Sequence, residues 1–252
     1  MRRWRILFTS LLVTAVVVAA RYVVHEILHL TSDVAWDDIQ VVTTGASVII
    51  GLMLVGVLRE YGDAEQLPVQ VASAISTFDR LLRNAAAVGH FDSSPFHGAI
   101  SGLAGSIGDW LYVKKPDAQV EAEIDAIRKS LVELQKLGAS DVYLGRCHVQ
   151  LDIIDGAVDR MMSIRNSMYL QSGYTLMYVL TSIVIVLLLV VDFGKAGLAP
   201  WLMSGSLTMI YSYLILLIRD LDNPFSYGRR QGVAEVDLSP LHAVREDLRS
   251  RG

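Results

Sequence analysis

Residues 25–29 read HEILH, which fits the H-E-x-x-H pattern of zinc hydrolysis. On a helix His25 and His29 are four residues apart and share a face, so they could hold a zinc ion while Glu26 acts as base toward a bound water. A third ligand would have to be Asp220 or Asp222, far along the chain, or one of Asp33, Asp37 and Asp38 nearby. A second constellation lies in residues 39–58, where Thr43, Ser47, Gly51, Leu54 and Leu58 are spaced four, four, three and four apart. A helix places these on one narrow, weakly polar face, and Arg59, Glu60 and Asp63 follow at its end. Such a face serves close helix packing in lipid, through small residues and hydroxyl bonds. Alternatively it lines a water-filled passage shared between subunits.

The elements that carry these residues follow from composition. The chain has 252 residues, 52% of them hydrophobic and 19% charged, with a mean hydropathy of +0.41, which is too apolar for an ordinary soluble domain. A net charge of −4 and a pI near 5.8 leave no basic surface for nucleic acid. The single cysteine, Cys147, excludes an intrachain disulfide and a thiolate metal cluster. Residues 39–58 carry no charge and, at about 1.5 Å per residue, cover a hydrocarbon core roughly 30 Å thick. Three further runs are long and apolar enough to span: about residues 6–28, 176–191 and 201–218. The basic, apolar start resembles a secretory leader, but the apolar character resumes after Arg21, so it reads as a retained span with Arg21 snorkelling or facing protein.

The short connections TSDVAWDD and DFGKAGLAP pair the four spans into two antiparallel hairpins. Between them the spacing predicts helices only. Pro68 reads as the start of a new helix, residues 89–98 (GHFDSSPFHG) as a break, and KKPD as the start of a strong helix. In that helix Val120, Ile124, Ile127, Leu131 and Leu134 recur at four-three-four-three spacing and end at Gly138. A further helix from Asp141 carries Leu144, Leu151, Ile154, Val158, Met161 and Ile164. Arg2, Arg3, Arg5, Arg59, Arg160, Arg165, Arg219, Arg229 and Arg230 fall on one side of the spans, with Lys195 on the other, which predicts cytoplasmic termini and a cytoplasmic helical domain. His25 then lies at the outer end of the first span while Asp220 and Asp222 follow the inner end of the fourth. A bilayer of roughly 30 Å separates them, which argues against a shared metal. His25, Glu26 and His29 then read as interfacial polar residues.

After the last span the chain reads RDLDNPFSYG, residues 219–228, and after the second span VLREYGDAEQLP, residues 57–68. On these two stretches, and on the order hairpin, helical domain, hairpin, the sequence resembles the bestrophins and the bestrophin-like membrane proteins of bacteria. The resemblance covers about half of the chain. It implies a homo-oligomer, typically a pentamer, whose second spans surround a central pore, with Thr43, Ser47 and Gly51 at the family's constricting positions. It also implies that the turn of Asp222, Asn223, Pro224 and Phe225 docks the C-terminal segment on the cytoplasmic domain, although Asp or Asn before Pro makes a turn without any such role. The chain departs from the family where small residues replace bulky pore constrictions and where Glu60 and Tyr61 replace the tryptophan pair after the arginine. No dense acidic run follows Phe225, so an animal-type calcium clasp is not expected.

The expectation is an all-α membrane protein with four transmembrane helices: a first hairpin in 1–58, a cytoplasmic helical domain in 59–172, a second hairpin in 173–218 and a cytoplasmic tail in 219–252. It would act, without cofactor and not as an enzyme, as a bestrophin-like ion channel of the bacterial inner membrane that passes chloride or other small anions. Its partners would be lipid, further copies of itself and small inorganic ions. Leu54 and Leu58 would gate the neck, and Arg59, Glu60 and Asp63 would line the inner mouth, where the two acids also admit cation conduction. The alternatives are an intramembrane zinc protease built on HEILH, and a non-conducting oligomeric scaffold.

Overall fold

Four long apolar runs force the backbone into helices, because a helix satisfies its own N–H and C=O groups in lipid. The computed structural model describes residues 4–28, 34–112, 115–136, 138–166, 171–194, 197–222, 224–225, 227 and 235–251. Its elements are α1 (Arg5–Tyr22) with a π-helical turn (Val23–Ile27), α2 (Trp36–Gly89), α3 (Ser94–Leu111), α4 (Asp117–Lys136), α5 (Asp141–Asn166), α6 (Gln171–Val190), α7 (Ala199–Leu221) and α8 (Ser239–Arg251). Four of these helices are long and apolar enough to cross a membrane: α1 with its π-helical turn, α2, α6 and α7. The four-span, all-helical class expected from the sequence is the class observed.

The chain divides into two compact units, residues 1–60 with 168–222, and residues 61–167 with 223–252. In the first, α1 packs on α6 and α7, and α6 packs on α7. Its connections are tied together where the Asp192 amide donates to the Val34 carbonyl at 2.9 Å and the Trp36 ring stacks on Phe193 at 5.4 Å. Asp38 lies one turn into α2 and accepts the Ala35 amide at 2.9 Å, which anchors the helix start from inside.

In the second unit α3 packs on α4 and α8, and α4 packs on α5. All five seam residues of α4, from Val120 to Leu134, are buried. They share one core with Phe78, Leu82, Ile107, Trp110, Leu151 and Val158. The α4 helix ends as its glycine predicts: Gly138 takes a φ of 91°, and the Ala139 amide reaches back to the Leu134 carbonyl at 3.2 Å.

Two elements differ from expectation. Pro68 does not begin a helix, because α2 continues through it from Trp36 to Gly89. Proline removes one intrahelical bond and crowds the preceding turn. Here the flanking Ala64, Leu67, Val71 and Ala72 are buried in the core, and that packing holds the turn helical. The other is α8, which the sequence reading passed over as tail. Its Leu241 and Leu248 lie in the core, and Val244 packs partly buried against it.

Candidate functional site

The stripe on α2 is set by what the helix buries. Its packed face is Ile39, Thr43, Ala46, Ile50 and Val57, all buried within the first unit. Thr43 belongs to that face, and its hydroxyl donates to the carbonyls of Ile39 and Gln40 at 3.2 and 2.9 Å. Ser47 stands at the edge, exposed, with its hydroxyl 2.9 Å from the Thr43 carbonyl and 2.7 Å from the Tyr211 hydroxyl of α7. Tyr211 in turn donates to the Thr43 carbonyl at 2.7 Å, so one phenol pins two turns of α2. A tyrosine inside a span needs a partner for its hydroxyl, and these groups supply it.

Continuing round the helix, Gly51 and Leu54 are partly exposed and Leu58 is exposed. A Cβ built on Gly51 meets nothing within 4 Å, so the chain leaves that space open. Opposite the packed face stand Val41, Val48, Leu52 and Val55, 79, 57, 68 and 65% exposed. Arg59 is exposed, Glu60 partly so, and Asp63, one turn beyond Arg59 on the same helix, is exposed in the second unit.

The HEILH histidine has other work. His25 lies in the π-helical turn, and its Nε2 is 3.1 Å from the Leu189 carbonyl at the end of α6. Arg21, one turn earlier, is buried and donates to the carbonyls of Leu188 and Val191, the latter at 2.8 Å. Its guanidinium lies over the rings of Phe193 at 5.0 Å and Trp201 at 5.8 Å. The last carbonyls of a helix lack internal donors and carry the negative end of its dipole, so a cation and an imidazole there are well placed. Arg21 therefore faces protein, the second of the two placements its sequence position allows. Glu26 is exposed on the same turn, and His29 lies outside the described residues. Among the described residues no group of three or more His, Cys, Asp or Glu could hold a metal ion.

At the post-span turn, burial pushes the Asp222 carboxyl above its ordinary range, and the nearby Tyr174 hydroxyl offsets part of the rise. Asn223 lies outside the described residues, as do Arg2, Arg3, Lys195, Arg229 and Arg230 among the charges used for orientation. Phe225 and Tyr227 are buried in the core of the second unit. The Tyr227 hydroxyl donates to the Val236 carbonyl, and the Val236 amide donates to the Pro224 carbonyl at 3.2 Å. The chain after the turn is thus fastened to the helical core of the second unit, and α8 lies along α3.

Tyr211 is the residue that sequence reasoning missed. The available signal was a phenol inside a membrane span, one of two there with Tyr213, where an unpartnered hydroxyl is costly.

No family model matches the sequence, and no curated protein does. Solved structures do match in fold. A bacterial bestrophin homologue from Klebsiella pneumoniae superposes with a TM-score of 0.78 at 14% identity, covering 97% of this chain and 96% of that one. Two crystal structures of point variants of that homologue give 0.81 at 13% identity and 0.82 at 14%, covering 96% and 99% of this chain and 97% of each of theirs.

Proposed function

Starting from a chain that has the bestrophin fold and is a bestrophin-like multi-pass membrane protein, we propose that it assembles with copies of itself into an ion channel. The observation that carries this is a match in fold along nearly the whole of both chains, at 96–99% of this one. In this reading the first part of α2 lines a central pore, with Ser47, Gly51, Leu54 and Leu58 along it. Thr43 supports the lining from behind, through its carbonyl and Tyr211, while Ser47 and Gly51 form the neck and Leu54 and Leu58 the apolar gate. Arg59 draws small anions such as chloride to the mouth, and Glu60 and Asp63 moderate it. The assembly is a homopentamer in a bacterial inner membrane, with both termini cytoplasmic.

A second lining is favoured by one observation: the face opposite the packed side of α2 is the strongly exposed row of Val41, Val48, Leu52 and Val55. If that row faces the axis, the constriction is wholly apolar and closes by drying.

Single cysteines at Ser47, Gly51, Val48 and Leu52, in purified protein in liposomes, decide between the two. The native Cys147 is buried and its thiol is pushed up to about 12, so it stays silent toward water-soluble thiol reagents. The stripe requires block of chloride flux at Ser47→Cys and Gly51→Cys. Block at Val48→Cys and Leu52→Cys moves the pore to the apolar row. Absence of flux in the unmodified protein overturns conduction and leaves a scaffold. Peptide cleavage lost on Glu26→Gln would restore the zinc reading.

A further inference from the structure

The break between α2 and α3, which the channel reading does not use, holds a serine, a histidine and an aspartate in series. Asp79 is 2% exposed, with Arg83 on one carboxylate oxygen and Nδ1 of His97 on the other. Nε2 of His97 then lies 3.1 Å from the hydroxyl of Ser93. The polarity of this chain follows from its members. Arg83 donates to one Asp79 oxygen and Nδ1 of His97 meets the other as donor, so Nδ1 carries the proton. In the neutral imidazole Nε2 is therefore the acceptor, and the Ser93 hydroxyl donates to it.

Charge neutralisation alone does not require this arrangement, since Arg83 already neutralises Asp79. Nor does helix capping. Ser93 is the N-cap of α3, where a serine ordinarily bonds an amide of the first turn, yet its side chain makes no cap bond and goes to His97 instead. Ser93 and His97 are both partly exposed, at the surface break rather than in the core.

We propose that Ser93 is an activated nucleophile of a Ser-His-Asp site that hydrolyses short acyl esters, an activity separate from conduction and not resting on it. Ser93 Oγ bonds to the acyl carbon as its proton passes to Nε2 of His97, and the carbonyl electron pair moves onto oxygen. That oxyanion forms at the positive end of α3, where the helix favours negative charge. Collapse expels the alcohol, which takes the proton from Nε2. Water repeats the sequence, releasing the carboxylic acid and restoring the serine. Asp79 is the positioning residue: it fixes the tautomer and orients the ring. Phe91 and Phe96, each within a few residues of Ser93 and His97 in the chain, are partly buried against the core.

The test uses the purified full chain in detergent, a fluorophosphonate probe and p-nitrophenyl acetate. Attack by Oγ on phosphorus forms the O–P bond and releases fluoride, with the proton taken up by His97. The expected result is stoichiometric labelling mapped to Ser93 by peptide mass, absent in Ser93→Ala and slowed about 100-fold or more in His97→Gln. Acetate release should fall with it. Ser93→Ala removes no cap bond, so its elution and unfolding should match the parent. Carbon-13 shifts of the His97 ring should report the Nδ1–H tautomer in the parent and its loss in Asp79→Asn. No labelling, labelling at another residue, or an undiminished rate in His97→Gln overturns the proposal. The mapping on the unmodified protein decides even where a variant is not recovered folded.

Discussion

The two units are built on opposite rules. In the first, the large apolar side chains Phe8, Leu12, Val16, Val41, Leu52, Leu198 and Leu202 face outward, each more than half exposed. The buried polar side chains there include Ser10, Arg21, Thr43, Thr181, Ser204, Thr208 and Ser212. In the second, Phe78, Leu103, Ile107, Trp110 and Val158 are inside. Among its described residues, the exposed large apolar ones are Tyr112 and the valines 69, 88, 132, 142 and 149. Lipid offers no gain for burying Leu against Leu, so the first unit is held by close packing and by a few bonds between helices, from Arg21 to the end of α6 and from Tyr211 to α2. Water offers that gain throughout the second.

The comparison breaks most visibly at Trp110. It is fully buried in the helical unit, with Nε1 donating to Asp117 at 2.6 Å and the Arg165 guanidinium 5.4 Å from its ring. Trp110→Ala should cost about 3–5 kcal/mol of that unit's stability. Chemical denaturation followed by α-helix signal would show an earlier transition for the helical unit alone. If Trp110→Ala leaves the midpoint in place, hydrophobic burial is not what orders this unit.

Tyr211 sharpens the other side. Tyr211→Phe keeps the ring and removes the hydroxyl that bridges Thr43 and Ser47, so it should cost about 1 kcal/mol. A double-mutant cycle with Ser47→Ala, measured by unfolding in mixed detergent, should give a coupling of about 0.5 kcal/mol or more. Strictly additive effects would mean that α7 does not set the position of α2 through this phenol.

The same contrast explains what the sequence discloses. The α4 seam was legible because water enforces periodicity, and every residue from Val120 to Leu134 in the pattern is buried. The four spans were legible because lipid enforces composition. Pro68 was misread because tertiary packing overrides a local preference. The polar, charge-rich α8 (Ser239–Arg251) shows only Leu241, Val244 and Leu248 to mark it. The α2 stripe was legible as a spacing, but its partner in α7 lies 164 residues beyond Ser47, and no local pattern points there. HEILH has the spacing of a metal motif, yet His25 is engaged by a carbonyl of α6, a contact that only the fold reveals.

The smallest expected effect lies at Asp222, where the membrane unit ends and a carboxylate is held partly out of water. Its folded pKa is raised from 3.8, chiefly by burial. A raised carboxyl pKa means that the folded state holds the proton more tightly than the unfolded chain does. Below 3.8 both states are protonated and the stabilising contribution of the buried neutral acid is fully present. As pH rises from there through the higher folded value, that contribution is lost and the ionised group becomes a cost. Asp222→Asn removes the titration while keeping the shape. It should therefore raise the melting temperature by a few degrees or less at pH 8, and the difference from the parent should shrink as the pH is lowered toward 4. Thermal unfolding in one detergent at both pH values reads it. A parent that gains on its Asn variant as pH rises would mean that the Asp222 carboxylate is stabilised in the turn rather than stranded there, which would reverse the sign of its part in the comparison.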